Sequence, residues 1–398
     1  MHRVAVPILF EPFPVRRRTL RISVVTETYP PEINGVATTA AQFVEGLRRR
    51  DHQIQLIRPR QDASERETDD SRFHELFTRG IPIPRYPSLQ LGLPARRALT
   101  RLWSVRRPDV VHIVTEGPLG WSALQTATKL GLPVVSDFRT NFHAYSQHYG
   151  IGWLRRPVLA YLRKFHNRTL ATLVPSETIR ERLDCNGFRN VKVVARGVDT
   201  RLFSPTRRDA PLRRQWGAGP DGMVVMHMGR LAPEKNPALL ATTFETIRQR
   251  VPEARFVVVG DGPSRRTLAQ RCPYASFAGA RHGEDLATHV ASGDVFVFPS
   301  LTETYGNVTV EAMASGLAVA AFDYGAAAQH VEHGVDGMLA PCHDERAFVE
   351  MAVGLAADAS RSARMGARAC RSASLLDWDG VVQQLESILL SASVPIGG

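Results

Sequence analysis

Residues 301–316, LTETYGNVTVEAMASG, carry two glutamates, Glu303 and Glu311, with seven residues between them. Glu303 falls in a loop behind an apolar run, beside Tyr305, Gly306 and Asn307, and Glu311 falls in the helical pattern that follows. A loop that opens a helix presents free backbone N–H groups, which suits a phosphate. Two carboxylates spaced this way can accept hydrogen bonds from two separate sets of sugar hydroxyls. Taken alone, the spacing equally fits a helix with ordinary surface glutamates. A second segment, GRLAPEKN (229–236), places Arg230 and Lys235 directly behind another apolar run. Fixed cations there could neutralise a departing diphosphate, a task that metal ions perform elsewhere. Either one singly also reads as a solvated surface cation. No Asp-x-Asp element stands near a diphosphate site, and Asp69-Asp70 lies in a polar loop. Neither a metal nor a cofactor is therefore expected.

The elements that must position these residues fall into two series. RISVVT (21–26), HQIQLIRP (52–59), PDVVHIVT (108–115), PVVSDF (133–138), ATLVPS (171–176) and VKVVARGVD (191–199) are short apolar runs separated by helical patterns. One of these helices is predicted from about Ala37 to Arg50, with Phe43, Val44 and Leu47 on its apolar face. A stretch rich in Pro, Arg and Asp between Phe203 and Gly222 reads as a link. The pattern then restarts with MVVMHMGR (223–230), RFVVVGDG (255–262), DVFVFPS (294–300) and LAVAAFD (317–323), and closes on an amphipathic helix over 377–390. Strands alternating with helices predict an α/β fold with parallel sheets covered on both faces. Two such doubly wound units predict a ligand cleft between them, at the carboxyl ends of the strands.

The bulk properties agree with this reading. With 398 residues, of which 43% are hydrophobic and 22% charged, the chain can bury two cores, and wholesale disorder is excluded. No apolar run approaches the roughly 18 residues that cross a bilayer. In MHRVAVPILFEPFPVRRR the arginine cluster follows the apolar stretch, the reverse of a secretory signal, so residues 1–19 read as an extension. Cys185, Cys272, Cys342 and Cys370 show no paired-ligand spacing, which predicts a reducing, cytoplasmic setting. Charge is distributed unevenly. Residues 1–200 hold 31 Lys and Arg against 18 Asp and Glu, and the remainder holds 19 against 21. The amino-terminal half thus favours an anionic partner, or else carries an arginine-rich surface that only promotes solubility.

The Glu-x7-Glu element, the Gly-Arg-x4-Lys segment, VVVGDGP (257–263) and INGVATT (33–39) together resemble the large retaining group of GT-B glycosyltransferases, family 4 or group 1. That group includes bacterial GDP-mannose-dependent α-mannosyltransferases and diacylglycerol glycosyltransferases of the sulfoquinovosyl type. The resemblance runs from about residue 20 to the end. It implies two Rossmann-like domains facing a cleft: 20–205 for the acceptor, 206–375 for the nucleotide-sugar donor, and 376–398 as a helix crossing back onto the first domain. It also implies that Arg230 and Lys235 contact the donor diphosphate, Glu303 the sugar hydroxyls and Glu311 the ribose. Gly35 would face the pyrophosphate, and Tyr305, Gly306 and Asn307 would complete the donor loop.

One position departs from the family pattern. Where many relatives carry a histidine after the strand matching PVVSDF, this chain has Arg139, in DFRTNFHAYSQHYG. Arg139 could stabilise a diphosphate or an anionic acceptor, which a guanidinium suits better than an imidazole. His143 is the alternative candidate for that site, and His148 reads as packed in a loop. A dinucleotide enzyme is a poor reading of VVVGDGP, because Arg265 interrupts the Gly-x-Gly-x-x-Gly pattern.

The resemblance implies retention at the anomeric carbon by a front-face route, without a covalent carboxylate nucleophile. The expected reaction moves a hexose from GDP-mannose or a UDP-hexose to a lipid or membrane-associated acceptor, with a soluble glycan as the rival. ARRALTRLWSVRR (95–107) and WLRRPVLAYLRKFHNR (153–168) interleave basic and apolar residues. They could lie on the anionic inner face of the cytoplasmic membrane, or turn Val158, Tyr161, Leu162 and Phe165 toward the core. From a different class, the basic half could make a nucleic-acid-binding module. That reading leaves Glu303, Glu311, Arg230 and Lys235 without a role, so no nucleic-acid partner is expected.

Overall fold

The structure is a computed structural model, and it describes residues 18–394 apart from 33, 63, 84–85, 140–154, 301–302 and 304. The first strands are β1 (Arg21–Val25), β2 (Gln53–Pro59) and β3 (Phe73–Thr78), followed by an antiparallel hairpin of β4 (Gly80–Ile83) and β5 (Tyr86–Gly92). Next come β6 (Val110–Ile113), β7 (Val134–Asp137), β8 (Ala171–Val174) and β9 (Val191–Val193). Among the described residues they form a parallel sheet in the order β3-β2-β1-β6-β7-β8-β9.

The second sheet is also parallel, in the order β12-β11-β10-β13-β14-β15. Its strands are β10 (Val224–Met228), β11 (Arg255–Val259), β12 (Ser276–Gly279), β13 (Val295–Phe298), β14 (Ala318–Phe322) and β15 (Gly337–Ala340). Helices cover both faces of each sheet. This is why the central strands read as continuous apolar runs rather than alternating ones. The chain reverses its winding between β1 and β6, and again between β10 and β13, which opens a crevice at the carboxyl ends of those strands.

The helix Gly35–Arg49 starts where Asn34 accepts hydrogen bonds from the amides of Val36 and Ala37, at 3.0 and 2.8 Å. Its buried face contains Phe43, Val44 and Leu47, as the spacing predicts. The last helix, Trp378–Ala392, packs against it and inserts Val382, Leu385 and Leu389 into the core beneath β1 and β2. Glu386 fixes that crossing. It accepts from Arg50 Nη1 at 3.0 Å and lies 3.0 Å from His52 Nε2.

The structure departs from the sequence expectation over residues 203–222, and it decides between the two placements left open for the basic amphipathic segments. Residues 203–222 are more than a link. Asp209 caps the short helix Ala210–Gln215, and the buried Arg213 donates to Ser292 O at 2.8 Å and to Asp294 at 3.1 Å. Two arginines, Arg208 and Arg213, thus anchor this stretch to the second sheet through one aspartate. The basic amphipathic segments also turn inward. Leu99 and Trp103 are buried on the helix Arg96–Val105, with Trp103 Nε1 donating to Ser23 Oγ at 3.0 Å. Leu162 and Phe165 are buried on the helix Arg155–His166, and the Tyr161 hydroxyl donates to Glu116 O at 2.5 Å. Most of their apolar stripes join the core, while the basic residues, together with Val105 and Tyr161, remain exposed. Among the described residues no helix is long and apolar enough to cross a membrane.

Candidate functional site

The residues that follow the carboxyl ends of the strands meet in one cavity of about 770 Å³. Asn34 and Gly35 come from behind β1, Arg139 from behind β7 and Arg196 from behind β9. From the other side come Arg230 behind β10, Asp261 behind β11, Arg281 to Gly283 behind β12, and Glu303 behind β13. Of the residues singled out in the sequence, Gly35, Arg139, Arg230, Lys235, Glu303, Tyr305, Gly306, Asn307 and Glu311 all line this cavity. His143, like His148, lies outside the described residues.

Lys235 ends the short turn Pro233–Lys235. Asn236, with φ 52°, reverses the chain there and caps the helix Pro237–Arg250. The lysine side chain thereby crosses the Phe298 ring, 5.4 Å from its centroid, and pairs with Glu303 Oε1. Ser300 Oγ donates to the same oxygen at 2.7 Å. Glu303 is therefore held by two donors before any sugar reaches it. Gly306 adopts φ 97°, a left-handed conformation that glycine takes at little cost, and opens the helix Asn307–Ala314. Among the described residues no side chain caps that helix, so its amino end faces the cavity with backbone donors suited to a phosphate oxygen.

Tyr305 has a different role from its neighbours. It is 1% exposed, its hydroxyl donates to Arg196 O at 2.9 Å, and it lies 2.8 Å from His330 Nε2. It braces the loop rather than offering its hydroxyl to a ligand. Glu311 lines the cavity one helical turn further on, and burial pushes its carboxyl up to about 7. Near neutral pH this carboxyl is poised between an acid and an acceptor for ligand hydroxyls. In the ligand-free protein its ionised form is the unfavourable one, so stability falls as pH rises through 7. Glu311→Gln should raise the melting temperature of the ligand-free protein most at pH 8, where both states are ionised, by less at pH 5.5, and not at all below the ordinary carboxylate value of 4.5. Equal melting curves for the two proteins at pH 8 would remove the assignment of a carboxyl whose charge desolvation disfavours.

The amino-terminal wall is cationic. Arg139, 1% exposed, donates from Nε to Asp137 Oδ2 at 2.7 Å and from Nη2 to Val194 O at 3.3 Å. His112 Nε2 lies 2.9 Å from the other carboxylate oxygen. Burial disfavours the charge on Asp137, but Arg139 and His112 outweigh it and hold the carboxyl at about 2. Arg139 is thus a fixed cation with its counter-ion beneath it, in the place where the family pattern has a histidine. Arg196 is the site residue that sequence reading missed. The available signal was an arginine directly behind the apolar run VKVVA. It donates from Nη1 to Asn307 Oδ1 at 3.1 Å and so joins the two halves of the cavity. Among the described residues no group of three or more His, Cys, Asp or Glu side chains could hold a metal ion.

Two family models match the chain, Glycosyltransferase Family 4 over residues 33–202 and Glycosyl transferases group 1 over residues 222–358. A GDP-mannose-dependent alpha-mannosyltransferase of Mycobacterium tuberculosis is 37% identical over 81% of this chain and 84% of its own length. An alpha-monoglucosyldiacylglycerol synthase of Acholeplasma laidlawii is 27% identical over 75% of this chain and 79% of its own. The fold matches the sucrose-phosphate synthase of Thermosynechococcus elongatus with a TM-score of 0.76 at 18% identity, covering 94% of this chain and 99% of that one. With two Rossmann-like halves, a cleft lined from both, and this level of kinship, the chain belongs to glycosyltransferase family 4 (group 1) and is a GT-B glycosyltransferase.

Proposed function

We propose that the chain is a retaining, metal-independent hexosyltransferase that uses a nucleoside-diphosphate hexose, GDP-mannose first among them, and delivers the sugar to a lipid or membrane-associated acceptor. The observation that carries this reading is the convergence of Arg230, Lys235, Glu303, Glu311 and the uncapped helix Asn307–Ala314 on one cavity. In this reading residues 206–375 bind the donor. Arg230 and Lys235 neutralise the diphosphate, Glu303 accepts from the sugar hydroxyls and Glu311 from the ribose. The held Lys235 and the exposed Arg230 supply the charge stabilisation that a divalent ion would otherwise give. Residues 20–205 hold the acceptor, and 376–398 tie the two units together.

The donor preference rests on the GDP-mannose named for the Mycobacterium tuberculosis relative, and the lipid acceptor on the diacylglycerol named for the Acholeplasma laidlawii one. Catalysis then consists of positioning and charge stabilisation, with the departing phosphate oxygen taking the acceptor's proton on the same face of the sugar. The cationic outer faces of the helices Arg96–Val105 and Arg155–His166 suit an anionic surface, so the enzyme works in the cytoplasm, peripherally on the inner membrane face.

The test is a thermal-shift panel of GDP, UDP, ADP and NAD, each with and without EDTA. A ligand at 100-fold excess over its Kd stabilises the folded state by about 2.7 kcal/mol, which is readily seen in a melting curve. GDP should raise the melting temperature most, to the same extent with EDTA. A larger shift with UDP would move the donor to a UDP-hexose. Loss of the shift in EDTA would end the metal-independent reading, and no shift with any nucleotide would end the donor assignment.

A further inference from the structure

Arg196 is 5% exposed, lines the cavity, and has no carboxylate in ion-pair distance among the described residues. Its Nη1 donates to Asn307, but its Nε has no partner among the described residues. Burial and the neighbouring Arg139 draw its pKa down to about 9. Arg139 is neutralised by Asp137, so among the described residues Arg196 is the buried cation whose charge no carboxylate balances. An unbalanced buried charge is costly to fold around, and a bound anion would relieve it.

The surroundings say which anion. A Cβ on Gly35 would stand 2.7 Å from Arg196 Nη1, so a glycine there lets the guanidinium lie against the backbone. On its other side the guanidinium touches Asn307, the first residue of the helix whose amino end carries no side-chain cap. Its own carbonyl is gripped by Tyr305 of the same loop. A phosphate seated on that helix terminus is therefore flanked by Arg196, which comes from the opposite half of the molecule.

We propose that Arg196 is a further catalytic residue, a cation supplied by the amino-terminal unit that contacts the donor diphosphate at the amino end of the helix Asn307–Ala314. This rests on the nucleotide-sugar reading above. As the bond from the anomeric carbon to the phosphate oxygen breaks, the electron pair stays on that oxygen. The acceptor oxygen bonds to the same carbon and its proton passes to the departing phosphate. Arg196 meets the charge that develops on the leaving group, alongside Arg230 and Lys235. Because it approaches from across the cleft, this contact also links leaving-group stabilisation to the relative position of the two units.

The experiment compares the full-length wild type with R196Q and R196K, in EDTA, by titration calorimetry with GDP and GMP and by turnover of GDP-mannose. R196Q is expected to weaken GDP binding by about tenfold or more, change GMP binding far less, and lower kcat by about 100-fold, the usual cost of one charge-stabilising donor. R196K should recover part of the GDP affinity, since it keeps the charge but loses the planar fork. If R196Q does not fold, R196K alone must still show reduced kcat. Wild-type GDP affinity and turnover in both variants would overturn the proposal. So would a rise confined to the acceptor KM with GDP affinity intact, which would assign the arginine to the acceptor. Failure of the wild type to bind GDP, UDP or ADP would instead overturn the donor reading on which the proposal rests.

Discussion

Replacing Glu303 with alanine should lower kcat for sugar transfer by about 10²–10³-fold, as expected when one contact made to the reacting group is lost. Glu303 accepts from Lys235 and from Ser300, so its carboxylate is oriented before a donor arrives. A preoriented acceptor costs little to reorganise as sugar hydroxyls bind, which makes its removal expensive for turnover. The fold should persist, because the side chain reaches into the cavity rather than the core. Initial rates with GDP-mannose, set beside circular dichroism and melting curves, check both halves of this expectation. Near-normal turnover in a folded Glu303→Ala protein would remove the donor-site assignment.

Lys235→Ala has the second large expected effect, a fall in kcat/KM of about 10²–10³-fold, because it deletes a fixed cation facing the leaving group. The lysine is set by the left-handed turn at Asn236 and by the Phe298 ring, so a water or a mobile surface cation cannot take its place. Its loss also leaves Glu303 without its ion-pair partner, and the two losses should not add. The double variant Lys235→Ala/Glu303→Ala should therefore be little worse than the poorer single variant. Full additivity in the rate measurements would show that the pair acts as two independent contacts. Retention of most activity by Lys235→Ala would place the diphosphate elsewhere.

Much of the architecture was legible in the residues alone. Runs such as RISVV, RFVVV and AVAAF are buried on both faces of parallel sheets, and such burial leaves a continuous apolar signature. β12 (SFAG) and β15 (GMLA) escaped because strands of 4 residues in which large apolar side chains are flanked by glycine, alanine or serine carry little such signal. The stretch 203–222 misled for a different reason. Pro, Arg and Asp usually mark a solvated connection, but here Arg208 and Arg213 share Asp294 across about 80 residues of sequence, a pairing that no local pattern announces. The same holds for the segments 95–107 and 153–168, whose amphipathic spacing is identical for a lipid face and a core face. Only the neighbours of Trp103 and Phe165 distinguish the two.

What the sequence by itself determined is the chemistry available: the Glu303 and Glu311 spacing, the cations Arg230 and Lys235, and the glycine loop at Gly35 are local patterns tied to strand ends. Spacing along one chain suffices for these, because a strand, a turn and a helix start place such residues within one loop. The tertiary structure alone decided which residues face them. Asp137, the counter-ion of Arg139, is held from the neighbouring strand by His112, and Arg196 arrives against Asn307 from 111 positions away. These contacts depend on how two separately wound sheets present their carboxyl ends to a common cleft. Charge balance in that cleft is therefore a property of the folded pair of units, and the unbalanced arginine becomes visible only there.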